Sequence, residues 1–193
     1  MKNVTLDVLD SNLNKEYSIY INNTPEIRFS FYQEKLMMDS NYWNKYWNLL
    51  EPYKFEWQEF KYEDVANNRL NIDSIITQNL TGVYLFILKS DKQIYDLHKY
   101  VFYVGIAGED DSRRPLKERL KDYFYIEGIK KRNKVHMMLN KYYKNMHVAY
   151  SYLDVLPVEL QTVEEYLHGY FYPIYCERDF PAELKQLRKA FAR

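Results

Sequence analysis

The chain has 193 residues, 47% of them hydrophobic, and its 27 basic and 27 acidic side chains cancel to a formal net charge of zero. That length carries one full core, and neutrality excludes an indiscriminate coater of nucleic acid. No apolar run approaches the roughly 20 residues of a membrane span, and acids interrupt the opening M-K-N-V-T-L-D-V-L-D where a secretory leader needs an apolar stretch. A lone Cys176 excludes an intrachain disulfide framework and a thiolate-rich zinc site. The expectation is a cytoplasmic protein with no membrane association.

The neutral total hides a division. Residues 1–80 hold 8 basic and 12 acidic side chains, net −4, whereas residues 81–193 hold 19 and 15, net +4. Two parts with different electrostatic tasks are expected, an accessory region over 1–78 and a second unit over 79–193. In the first, Y-S-I-Y-I, N-N-T-P and E-I-R-F-S-F-Y read as two alternating strands around a turn. Residues 33–50 read as a helix, with Tyr42, Trp43, Tyr46, Trp47 and Leu50 at helical spacing and Pro52 ending it. Such an aromatic stripe is the mark of packing.

The second unit opens with the strand G-V-Y-L-F-I-L, a loop over 90–100, and the strand V-F-Y-V-G. Pro115 suits a first helical turn, after which Leu116, Leu120 and Phe124 recur every four residues as a buried stripe. Residues 133–144 form a further helix, H-V-A-Y-S-Y-L-D-V a third strand, and 162–172 a last core helix stopped by Pro173. The order β-β-α-α-β-α predicts an α+β fold, a small three-stranded antiparallel sheet flanked by helices.

Alternate residues of a strand share a face. Pairing of the two strands would therefore project Tyr84 and Tyr103 from one side, with Gly105 turning the chain sharply at the strand's end. Arg119 and Tyr123 lie four apart, hence on one helix face, rotated by roughly 100° from the buried stripe. Three phenols and a guanidinium then form an anion-facing cluster. In a chain with 21 tyrosines, each is equally at home as a packing residue.

G-V-Y followed by Y-V-G resembles the paired signature of the GIY-YIG endonuclease family. The helix L-K-E-R-L-K-D-Y-F is similar to that of the family's bacterial excision-repair incision nuclease. E-E-Y-L-H-G-Y-F-Y-P supplies the family's glutamate, leucine and proline as Glu164, Leu167 and Pro173. The resemblance covers about residues 80–176. It implies a metal-dependent DNA endonuclease of restriction, defence or mobile-element type. Glu164 would hold Mg²⁺ (or Mn²⁺), and Tyr103 would act as general base oriented by Tyr84. Arg119 would bind the phosphate oxygens, and Tyr123 would contact the phosphate. Arg113, Arg114, Lys130, Lys131, Arg132 and Lys134 would hold the DNA backbone, contacts that position without specifying. The accessory region would recognise the target, dock onto a protein or form a homodimer.

Three departures stand beside the match. Cys176 occupies the position where the family usually has asparagine, Ile106 replaces a common lysine, and the turn carries Glu109, Asp110 and Asp111, which would repel a phosphate unless they face away into solvent, bind another cation or gate access. Glu164 with Glu165 also suits an exposed first helical turn without a metal, and His168, one turn on, is expected at the surface. The alternative reading is an inactive scaffold of the same family that binds nucleic acid or protein.

Overall fold

The computed structural model describes residues 4–15, 36, 38–90, 92, 99–109, 114–176 and 180–191. The strand pair expected within 17–32 lies outside the described residues, as does Arg113. The fold is α+β, and its sheet is built from β1 (Gln58–Lys61), β2 (Gly82–Lys89), β3 (Lys99–Ala107) and β4 (Met146–Tyr152). The spatial order is β1-β4-β2-β3, with every neighbouring pair antiparallel.

The described sheet thus has four strands, correcting the expected three. The additional strand β1 comes from the sequence before residue 78 and pairs with β4, Phe60 opposite Val148. Its sequence Q-E-F-K is too short and polar to show alternation. At a sheet edge only Phe60, 6% exposed, has to face the core.

Strand β2 is central, and Val83, Tyr84, Leu85 and Phe86 are all buried. Burial on both faces explains why it reads as a continuous apolar run. Strand β3 has a free edge, which the segment after the last core helix covers. The Tyr175 amide donates to the Phe102 carbonyl at 2.9 Å. The Cys176 thiol accepts from the Val104 amide at 3.3 Å and donates to the Val104 carbonyl at 3.4 Å. Backbone groups that would otherwise be unpaired are satisfied, as a buried sheet edge requires.

The helices are α1 (Leu6–Ser11), α2 (Ser40–Leu50), α3 (Tyr62–Ala66), α4 (Ile72–Ile75), α5 (Leu116–Lys121), α6 (Ile126–Ile129), α7 (Asn133–Tyr142), α8 (Pro157–Phe171) and α9 (Ala182–Phe191). Helix α2 starts at Ser40, not at the expected residue 33. The Asp39 carboxylate accepts from the amides of Asn41 and Tyr42 and caps the helix there. Helix α8 starts at Pro157, earlier than expected, because proline is pre-organised for the first helical position. Tyr172, left-handed at φ 46, ends it before Pro173.

These helices place the site. Leu116 and Leu120 bury α5 against the sheet as the stripe predicts. The aromatic face of α2 packs on α8, where the Tyr42 hydroxyl donates to the Gly169 carbonyl at 2.5 Å. Helix α9 docks on α2 through Glu183, which accepts from Lys45 at 2.8 Å and from the Tyr46 hydroxyl. Among the described residues no helix is long and apolar enough to cross a membrane.

Candidate active site

The antiparallel register sets Tyr84 directly opposite Gly105 and Phe86 opposite Tyr103. Tyr84 and Tyr103 therefore share a face of the β2–β3 pair, as expected, with stacked rings 6.3 Å apart. Gly105, however, lies inside β3 and not in a turn. A Cβ placed there would sit 2.4 Å from Cζ and the hydroxyl of Tyr84. The glycine is needed because the phenol lies across its backbone. The turn after β3 belongs to Gly108, whose φ is +107°.

Helix α5 does not extend to Tyr123. It gives way at Asp122 to a 3-10 turn over Asp122–Phe124. The turn carries the Tyr123 ring beneath the surface, 4.8 Å from Phe86 and 6.2 Å from Tyr103. Its hydroxyl lies 2.8 Å from that of Tyr84, a buried phenol pair. The Arg132 guanidinium covers the ring at 5.2 Å, a cation–π contact.

Arg119, on α5, is 28% exposed, and one of its terminal nitrogens lies 3.3 Å from the Glu109 carboxylate. Its Nε is buried without a hydrogen-bond partner, a donor with unmet demand. The guanidinium also acts on the Tyr84 phenol, favouring its ionised form.

A cleft of about 620 Å³ joins these parts. Strand β3 contributes Tyr103, Gly105 and Ile106, and α5 contributes Arg119. Helix α8 contributes Val158, Gln161, Thr162, Glu164 and Glu165, and α9 contributes Lys185; Glu109 also lines the cleft. Positions 158, 161, 162 and 165 are one helical face. Glu164 sits at mid-helix and half-buried, not in an exposed first turn. Tyr103, Arg119 and Glu164 therefore share one cleft, with Tyr84 and Tyr123 buried beneath it. His168, expected at the surface, is 2% exposed and stacked on Phe180 at 5.0 Å.

Burial dominates the acid–base state of the phenols. It pushes Tyr84, Tyr103 and Tyr123 well above the ordinary value of 10.0. Arg119 opposes this at Tyr84, and Arg132 at Tyr123. At neutral pH all three are neutral hydroxyls that donate hydrogen bonds.

Among the described residues no cluster of three or more His, Cys, Asp and Glu suits a metal ion. The cleft offers Glu109, Glu164 and Glu165 as its carboxylates. Its carboxylates do fit a hard cation such as Mg²⁺, which takes one or two carboxylates and fills its remaining positions with water and phosphate oxygens. Glu109 is engaged with Arg119, and Glu164 and Glu165 are the other two carboxylates that line the cleft.

Most of the described basic residues proposed for DNA contact hold local structure as well. Arg114 makes two bonds to Asp122, at 2.9 and 2.8 Å, and one to the Glu118 carbonyl. Arg132 approaches Asp122 at 3.6 Å, and Lys130 pairs with Glu127 at 2.7 Å. Lys131 is exposed and Lys134 half-buried in the first turns of this basic segment.

Compared with known proteins, the chain matches no family model, and no curated protein or solved structure gives a significant match. Gln161, Thr162 and Lys185 also line the cleft and are not among the residues that the sequence singles out for the site. The signal for the first two was the α8 face, visible once Pro157 is taken as the helix start.

Proposed function

We propose that the chain is a divalent-metal-dependent endonuclease of the GIY-YIG type, hydrolysing DNA phosphodiester bonds. One observation supports it above others. Tyr103, Arg119 and Glu164 come from β3, α5 and α8, separated by long stretches of sequence, and line a single cleft.

Each side chain has a task in this reading. Arg119 holds the non-bridging oxygens of the scissile phosphate and stabilises the charge that grows on them. Tyr103 orients the attacking water and takes its proton. The Tyr84–Tyr123 pair fixes the floor, so that Tyr103 and Arg119 keep their positions. Glu164 would hold the cation, which when bound would supply Lewis-acid polarisation of the phosphate and lower the pKa of neighbouring water and phenol. Burial keeps Tyr103 protonated in the protein alone, so its role as a base depends on positive charge gathered beside it.

The test is incubation with supercoiled plasmid in Mg²⁺ or Mn²⁺, beside Glu164→Ala and Arg119→Ala. Nicking by the native chain and by neither variant supports the reading; equal nicking by all three removes it. The Glu109 carboxylate seated on Arg119 favours a second reading, a non-catalytic scaffold that binds nucleic acid or protein. DNA binding without cutting under any metal condition would select it.

A further inference from the structure

Helix α9 lies beyond the stretch that carries the family resemblance, yet it delivers a cation into the cleft. Its start is fixed at several points. Phe180 is buried with its ring on His168 at 5.0 Å. The Pro181 carbonyl accepts from the amides of Leu184 and Lys185 at 2.9 and 3.1 Å. Leu184 is buried, and Glu183 is held by Lys45 at 2.8 Å and by Tyr46. With both preceding residues anchored, the position of Lys185 on the cleft wall is set by the fold while its side chain stays exposed.

The cleft needs such a charge. Glu109, Glu164 and Glu165 all line it, and Glu109 partly neutralises Arg119. A phosphodiester chain entering there carries one negative charge per nucleotide. Arg119, even with a divalent cation at Glu164, only balances the three carboxylates and leaves a polyanion without counter-charge. A lysine ammonium is a flexible point charge, suited to hold a backbone phosphate without demanding fixed geometry.

We propose that Lys185 is a phosphate-binding residue of the cleft. It holds a backbone phosphate next to the one on Arg119 and so positions the scissile bond over Glu164. This rests on the endonuclease reading and extends it to a residue outside the motif.

The test is binding of a short fluorescent DNA duplex in EDTA over a series of KCl concentrations, for the native chain, Lys185→Ala and Lys185→Arg. Each neutralised phosphate of B-DNA contributes about 0.9 to the slope of log K against log salt. Lys185→Ala is expected to weaken binding several-fold at low salt and to reduce that slope by about 0.9, with Lys185→Arg close to native. Unchanged affinity and slope in Lys185→Ala would overturn the proposal. So would equal losses in the alanine and arginine variants, which would mean a packing role. Plasmid nicking, scored in parallel, separates the two ideas. A native chain that nicks while Lys185→Ala binds normally loses only the Lys185 assignment, and one that neither binds nor nicks loses both.

Discussion

The Glu109 carboxylate and the Arg119 guanidinium are paired within the cleft at 3.3 Å, both partly exposed. Glu109 directly follows Gly108, whose left-handed backbone ends the run of β3. In the proposed function, a phosphate must replace this carboxylate on Arg119. A partly exposed ion pair is worth at most about 1 kcal/mol. Glu109→Gln, which keeps size and removes charge, should therefore lower KM for DNA by about fivefold or less and leave kcat nearly unchanged. A raised KM would show that Glu109 assists binding.

Gly105 makes a different demand. Any side chain there would press on the Tyr84 ring, which is fully buried. Overpacking of this kind costs about 1–3 kcal/mol. Gly105→Ala should lower the midpoint of chemical denaturation accordingly. A midpoint equal to the native one would mean that the Tyr84 ring is not held across the β3 backbone.

Cys176 should act through the sheet edge. Its thiol bonds both backbone groups of Val104, the residue after Tyr103. Cys176→Ala leaves those groups without that partner, at a cost of about 1–3 kcal/mol. Amide exchange measured residue by residue should show faster exchange at Val104 than at the central strand β2. Unaltered protection at Val104 would contradict the bridging role.

His136 gives a pH signature. Its buried Nε2 lies 2.7 Å from the Leu9 carbonyl and ties α7 to α1. Burial lowers its pKa below the ordinary 6.5, with the bond to Leu9 acting the other way. The unfolded chain thus takes up this proton near pH 6.5 and the folded chain only at lower pH. Its contribution is fully present above 6.5 and is lost as pH falls from there towards the folded value. Denaturation midpoints should fall with acid in this window, by at most about 1.4 kcal/mol per pH unit from this group. His136→Gln should flatten the slope; an identical slope would contradict the assignment.

The parts of the fold legible in sequence were those written in local pattern. The apolar run of β2, the four-residue repeat of Leu116 and Leu120, and the pairing face of Tyr84 and Tyr103 all follow from periodicity. Strand β1 was not legible, because an edge strand with one core residue looks like any polar loop. The role of Gly105 was hidden for another reason. A glycine near a strand's end suggests a turn, whereas the requirement here comes from a ring on the neighbouring strand.

The candidate site was legible as a list of residues more than as a geometry. Tyr123 was placed on a helix face, but α5 ends two residues before it and the 3-10 turn buries it. The approach of Glu109 to Arg119 and the place of Lys185 on the cleft wall are set by packing between elements, which no local spacing announces. The thiol of Cys176 looked like a lost asparagine until its two bonds to Val104 gave it a structural task.

The claim that the cleft is built around one cation at Glu164 is tested most directly by Glu164→Gln, measured for cutting and for binding on the same DNA. The account predicts a loss of at least about a hundredfold in cleavage rate in Mg²⁺, with affinity in EDTA within a few-fold of native. Cleavage at the native rate by this variant would contradict it.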